Sequence, residues 1–465
     1  MTELCDLTAH DLISAFRSGA LSPVEAMTSV LDRLAAAEPL LAATWAVDAD
    51  CALAEAKLSE ARWRSGTPRG MLDGVPVSIK EMIATEGVAR PLGTAAGDMT
   101  PQLRDAPPVQ RLREAGAIPF GKTTNPDYGM LSSGLSSFHA LARNPWDVSR
   151  TPGGSSAGAA AAAAAGYGPL HLGTDIGGSV RLPAGWCGIF ALKPSFGRIP
   201  IDPPYIGRVA GPMTRTVADS ALMMAATSLP DERDYMSLPP ADIAWHDLAI
   251  DPRGLRIGLL GEAGCGMAVD PEIAAAVQAA AKAFEDAGAV VEPVAPFLTP
   301  DMLNGVDRFW RTRFLDETRH YPPERYALIL PYIREWVEAA RSYDGLEVYT
   351  GFDQIIRMQE AGVRAFEGFD FMLSPTAPVA AFPAEWASPL DDPARPFEHI
   401  GFTVAYNMTQ QPAASINCGY TAQGLPIGLQ IIGRRFDDLG VLRLARAYET
   451  IRPAQRPWPT PWLPS

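Results

Sequence analysis

Apolar positions in the N-terminal half of the chain switch between two periods. In "LSPVEAMTSVLDRLAAAEP", Val24, Met27, Leu31 and Leu34 recur at helical spacing, which predicts a helix with one buried stripe. Ser22 ahead of it, Pro23 in its first turn and Glu25 at the reciprocal position predict a capping box at its start. In "DGVPVSIKEM" the period falls to two. Val75, Val77 and Ile79 alternate there, which predicts a short strand that delivers Lys80 at its C-terminal end. "VQRLREAGAIPFGKT" reads as helix then strand, "NPWDVSRTPGGSSAG" as a loop, and "PLHLGTD" as a strand running into "GTDIGGSVRLPAG". Farther on, "LRIGLL", "PEIAAAVQAAAKAFEDAG" and "AVVEPV" give strand, helix and strand again. Repeated alternation of this kind predicts an α/β fold with helices on the faces of a large, mostly parallel sheet. No internal repeat is visible, and the only linker-like pieces are Pro-rich, near Pro203 and Pro239.

The longest stretch of low polarity, "AGAAAAAAAGYG" from Ala157, is alanine and glycine between turn residues. A membrane span needs about 20 strongly apolar residues. Alanine, the best helix former, also lets a helix lie close to a sheet, so a tightly packed core helix is expected here and no membrane association.

Composition narrows the function classes. The 465 residues could make two or three domains, although an α/β fold of this length can be continuous. With 39 basic and 53 acidic residues, a formal charge of -14 and no basic block, nucleic acid is not expected as a partner, and a small substrate is. Cys5, Cys51, Cys187, Cys265 and Cys418 are odd in number and never form a CxxC pair. They read as reduced thiols, with no metal site expected. The start "MTELCDLTAHDL" is acidic where a secretory leader would be basic and then apolar, so a cytoplasmic protein is expected.

Candidate chemistry collects in two glycine-rich loops. "GGSSAG" has Gly154, Ser156 and Gly158 in the GxSxG spacing of a nucleophile elbow. That motif must follow a strand, whereas "DVSRTP" is polar and ends in proline, and nothing singles out a base among His171, His246, His320 and His399. Neither loop ends in the GK[ST] of a phosphate-binding P-loop or has the GxGxxG spacing. Each loop alone is compatible with a glycine turn carrying incidental serines.

Taken together they say more. "GVPVSIKEM", "TPGGSSAGAAAAAAAG" and "LGTDIGGSVRLPAGWCGIFALKPS", with "NPWDVSRTP", "FDFMLSPTAP" and "LPIGLQIIGRR", resemble the amidase signature family along nearly the whole chain. The resemblance implies a single compact domain over residues 1–465 around one large mixed sheet, with a catalytic core at about 70–230 and a variable substrate-channel region at about 300–350. It implies Ser179 as nucleophile, Ser155 as bridging serine joined to Gly154 by a cis peptide, and Lys80 as base, with no cofactor. It also places Met130, and Gly129 beside it, near the acyl group of the substrate. Two departures stand out: Ala157 replaces the glycine usual after the two serines, and Gln410 stands where many relatives have glycine, in a loop expected near the substrate.

A serine attacks a carbonyl only when a base takes its proton. Lys80 can do so if desolvation lowers it from its ordinary value near 10.4. Successive N–H groups of Ile176, Gly177, Gly178 and Ser179 are expected to hold the oxyanion, with Asp175 and Arg181 bracing that turn and Ser156 structural. The expected activity is cleavage of a linear C–N acyl bond, in an amide, anilide or carbamate, through an acyl-enzyme. Two alternatives are the amidase subunit of a tRNA-dependent amidotransferase and an inactive binding protein on the same fold. The segment Gly305–Phe352 holds ten aromatics: Phe309, Trp310, Phe314, Tyr321, Tyr326, Tyr332, Trp336, Tyr343, Tyr349 and Phe352, where an even spread gives about four. Core packing accounts for most of them, and the excess over a channel points to an aryl or bulky apolar substrate.

Overall fold

The computed structural model describes residues 3–463, so Met1 and Thr2 of the acidic N-terminal stretch lie outside the described residues. Among these, eleven strands pair into one sheet: β1 (Thr44–Trp45), β2 (Pro76–Lys80), β3 (Ile118–Thr123), β4 (Leu170–Asp175), β5 (Phe190–Lys193), β6 (Val209–Thr214), β7 (Arg256–Leu259), β8 (Val290–Pro293), β9 (Phe371–Pro375), β10 (Ala413–Tyr420) and β11 (Pro426–Gly433). Their spatial order is β1-β3-β2-β4-β6-β5-β10-β11-β9-β7-β8, and helices surround them in a single α/β domain.

The sheet is mixed, as expected, with a smaller parallel share than the strand–helix alternation suggested. β2 runs parallel to β3 and β4, and β7 to β8 and β9; the other six neighbouring pairs are antiparallel. The parallel pairs are those the alternation made legible. The middle is built from antiparallel ladders such as β10 with β11, whose short connection from Tyr420 to Pro426 closes a hairpin.

β2 is buried at all five positions because both faces are covered. Val77 and Ile79 join Leu170 and Leu172 of β4 in the main hydrophobic cluster. The alternation read from the sequence therefore marks which face a residue takes, and Lys80 takes the other one. The alanine helix Ala157–Ala165 is buried along its whole length. A side chain at Gly158 would drive its Cβ into the Ala43 carbonyl oxygen and the Thr124 backbone, so only glycine allows the helix this approach. The helix Pro23–Leu41 starts with the expected Ser22–Glu25 capping box. Its buried face is centred on Ala26, Met27, Val30 and Ala37, and Val24, Leu31 and Leu34 flank it half-buried. Among the described residues no helix is long and apolar enough to cross a membrane.

Candidate active site

Parallel neighbours end at the same edge of a sheet, and the carboxyl ends of such strands are where α/β folds place ligands. β2 ends on Lys80 and its neighbour β4 on Asp175. The loop before the alanine helix brings Ser155 and Ser156 to the same edge, with a cis peptide between Gly154 and Ser155. Lys80 is fully buried. Its Nζ donates to Ser155 Oγ at 2.8 Å, Thr174 Oγ1 at 2.9 Å and Ser156 Oγ at 3.1 Å. Burial pushes the ammonium down to about 7, against the opposing pull of Asp175 and Glu81 and with some help from Arg208. Ser156 is committed on every side, since its hydroxyl also donates to the Thr174 carbonyl at 3.2 Å and accepts the Thr174 N–H at 3.3 Å.

Ser179 follows β4 in the turn Ile176–Ser179 and is half-buried. Together with Ser155, Gly129, Met130, Thr174 and Ile176 it lines a cavity of about 570 Å³, within the usual range for small-molecule sites. Gly129 lies close enough that a Cβ on it would stand 3.2 Å from Ser155 Oγ. The structure thus joins Lys80 to Ser155 by a hydrogen bond and sets Ser179 on the wall of the same cavity, without a hydrogen bond between the two serine hydroxyls.

Of the four N–H groups expected to hold the oxyanion, that of Gly178 is already occupied. The Gly178 N–H donates to Asp175 Oδ1 at 2.8 Å, so it is spent on shaping the turn. The N–H groups of Ile176, Gly177 and Ser179 make no such bond among the described residues. Gly178 itself sits at φ +125°, with Thr403 Oγ1 2.6 Å from where a Cβ would be, so both its conformation and its surroundings require glycine.

Asp175 and Arg181 brace this turn from beneath, and both are fully buried. Arg181 Nε donates to Asp175 Oδ2 at 3.0 Å and Nη2 to Oδ1 at 2.9 Å. Burial alone would raise the Asp175 carboxyl, yet the Arg181 guanidinium and the Asn407 amide hold it well below the usual carboxylate range. Arg181 also reaches the Thr403 carbonyl, Gln430 Oε1 and Asn407 Oδ1.

No histidine lines this cavity. His171 is buried between Ser78 and the Gly168 carbonyl, and burial pushes it down to about 3. Gln410, expected near the substrate, is instead tied to Arg435 by a 2.7 Å hydrogen bond in a loop that does not line the cavity. Of the ten aromatics in Gly305–Phe352, Trp310 and Tyr321 reach the cavity or its adjoining recess. Phe314 and Trp336 are core residues and Tyr349 is exposed. Motif reading missed Thr174, although it lies next to Asp175 in the "GTDIGGS" stretch. It also missed Tyr205, Phe397 and Ile400, which no local pattern marks.

The sequence profile of the family described as Amidase matches residues 25–442. The chain is 34% identical to a glutamyl-tRNA(Gln) amidotransferase subunit of Myxococcus xanthus, covering 96% of this chain and 97% of that one. It is equally identical to the protein of the same name from a Roseiflexus species, with 97% of each chain covered. Among solved structures it resembles a bacterial aryl acylamidase of the amidase signature enzymes, with a TM-score of 0.88, 28% identity and 96% of each chain covered. It also resembles the corresponding glutamyl-tRNA(Gln) amidotransferase subunit of Thermotoga maritima, with a TM-score of 0.81, 26% identity, 99% of this chain and 98% of that one covered. The expectation of a small-molecule substrate without nucleic acid is overturned by these relatives, whose names carry both a tRNA and membership of an assembly. Net charge is an average over one chain, and it does not exclude a polyanion handled by an assembly. With the profile matching residues 25–442 and relatives of this identity along almost its full length, the chain belongs to the amidase signature family.

Proposed function

We propose that this chain cleaves a linear amide C–N bond through an acyl-enzyme on Ser179. The observation that carries the proposal is the buried Lys80, held near neutrality in pKa and 2.8 Å from Ser155 Oγ, at the cavity Ser179 lines. Neutral Lys80 accepts the Ser155 proton while Ser155 takes that of Ser179, and Ser179 Oγ forms a bond to the substrate carbonyl carbon. The N–H groups of Ile176, Gly177 and Ser179 face the negative charge that develops on the carbonyl oxygen. Collapse breaks the C–N bond, and the proton returns through Ser155 to the departing nitrogen. Water then repeats the sequence on the ester, releasing the acid and restoring Ser179.

The curated relatives, named as subunits of a glutamyl-tRNA(Gln) amidotransferase, favour one setting for this chemistry: the amidase subunit of a tRNA-dependent amidotransferase, releasing ammonia for a partner within an assembly. One specific observation favours a second setting, an aryl amide hydrolase. Trp310, Phe397, Ile400 and Leu182 form an apolar recess beside Ser179 and Met130, and the resemblance to the aryl acylamidase structure supports it. The five cysteines, none of them paired, support a cytoplasmic setting for either.

The purified chain alone, given glutamine, acetanilide and an aryl carbamate, separates these readings. Amine release from acetanilide or the carbamate by the lone chain supports the aryl hydrolase. Ammonia release from glutamine that appears only with partner proteins and charged tRNA supports the amidotransferase. Inertness under all these conditions overturns the proposed chemistry.

A further inference from the structure

The charged groups on the wall of the Ser179 cavity do not balance. Its acidic groups are already partnered: Glu317 accepts from Arg313 at 3.0 Å and Asp316 pairs with Arg319 at 2.9 Å. Asp202, in a small recess off the same cavity, pairs with Arg104 at 3.0 Å. Arg90 and Arg208 line both the cavity and that recess. Among the described residues Arg90 has neither an ion pair nor a side-chain hydrogen bond, and Arg208 donates only to the Pro203 carbonyl. Two guanidiniums that make no ion pair thus share one concave wall, in a chain whose formal charge is -14. Both side chains are half-buried, and the wall they share presents unpaired positive charge to whatever enters the cavity. Burial, with Arg313 close by, pulls the Arg208 guanidinium down to about 10. It remains charged at neutrality.

Placement gives this a meaning for the substrate. The largely apolar recess at Trp310 and Phe397, whose one charged group, Arg313, is already paired with Glu317, and the recess at Arg90 and Arg208 share no lining residue. Each shares part of its wall with the cavity that Ser155 and Ser179 line. We propose that the amide cleaved here carries an anionic group of carboxylate class, which Arg90 and Arg208 hold, on the other side of the scissile bond from the group in the apolar recess. The inference rests on the reading of this cavity as the amide-binding site. It narrows the aryl-amide setting, where it requires a negative charge on the substrate across the scissile bond from the apolar group; glutamine, a primary amide that already carries a carboxylate, has no second group there. Planar guanidiniums suit such a group because they donate in parallel to two oxygens.

The test is calorimetric binding to the Ser179→Ala chain, which cannot turn over its ligand. Two matched pairs are used: N-benzoylglycine against its neutral primary amide, and N-phenylsuccinamate against its neutral primary amide. The first pair puts the charge on the amine side and the second on the acyl side. In at least one pair the carboxylate should bind about tenfold more tightly, as expected for charge-assisted bonds. Arg90→Gln, and Arg90→Gln with Arg208→Gln, should remove most of that preference, with thermal melting as the control for folding. Equal affinity within both pairs, a preference that survives Arg90→Gln and the double variant, or no binding of any probe at millimolar concentration overturns the proposal. Turnover is read separately on the chain that retains Ser179. Cleavage of neutral amides without an arginine-dependent preference would remove the anion seat and keep the chemistry. An arginine-dependent preference in a chain that cleaves no amide would do the reverse.

Discussion

In the proposed mechanism one side chain, Lys80, trades stability for reactivity. Its ordinary pKa of 10.5 falls to about 7 because it is wholly buried, and its three acceptors are neutral hydroxyls. The neutral amine is the form that accepts a proton, so kcat/KM should climb with unit slope below about pH 7 and level above it, as a pH–rate profile on any cleaved amide would read. The same shift has a consequence for folding. Between pH 7 and 10.5 the unfolded chain binds the Lys80 proton more readily than the folded one, so stability rises with pH across that window. Lys80→Met should therefore lose activity while melting no lower than the parent at pH 7, and its advantage should shrink as pH is raised. A melting temperature well below the parent would mean the lysine is there to hold the fold. Ser179→Ala should abolish turnover with melting unchanged. Ser155→Ala and Lys80→Met should cost no more together than the worse of the two alone, because members of one proton relay are not additive; multiplying losses in kcat would exclude the relay. These three candidates were legible in the sequence because each sits in a short motif. Arg90, Arg208 and Phe397 were not, since nothing next to them in the chain marks a cavity wall.

Elements were legible where local chemistry dictates them. The Ser22–Glu25 capping box, the alternation through Val77 and Ile79 and the alanine helix all formed as read. What local pattern cannot give is the partner of each strand: it found the parallel pairs around β2 and β7 and passed over the antiparallel middle. Nor does it say how close two elements come. The approach at Gly158 is a property of the packed helix, and Gly158→Ala should cost about 3 kcal/mol or prevent folding, as denaturant unfolding would show. Gln410 tests the opposite case. It occupies a left-handed conformation at φ +67°, which favours glycine, yet it contacts Arg435 and not the cavity. Gln410→Gly should leave kcat/KM within about twofold of the parent on every substrate. A change in the ranking of substrates would place this loop back at the site.

At the scale of the whole molecule, the turn holding Ser179 is fixed by residues that lie far along the chain. Arg181 reaches across 222 residues to the Thr403 carbonyl and 249 residues to Gln430. Thr403 in turn donates to the Gly177 carbonyl at 2.6 Å. The C-terminal strands and the helix Gly401–Met408 thus clamp a turn that the N-terminal motifs supply. Asp175 stands at the centre of this clamp, accepting from Gly178, Val180, Arg181 and Asn407. Replacing Arg181 by methionine keeps bulk and removes the charge, leaving a buried carboxylate without its cation. Breaking such a pair typically costs about 3–5 kcal/mol, and the loss should appear in denaturant unfolding at pH 7. The sign with pH follows from the depressed folded-state pKa of Asp175. Its stabilising contribution is present above the ordinary carboxylate pKa of 3.8 and disappears as pH falls through the folded value, so the gap between parent and variant should narrow in acid. Catalysis should suffer in a particular way. In the proposed mechanism the turn presents the N–H groups of Ile176, Gly177 and Ser179 to the oxyanion, where they matter most as charge develops on the carbonyl oxygen. In Arg181→Met, measured under conditions where it remains folded, kcat should fall at least about tenfold with KM changed less. A variant that folds as well as the parent, or one that loses only substrate affinity, would mean the clamp is neither structural nor aligned with the reacting centre.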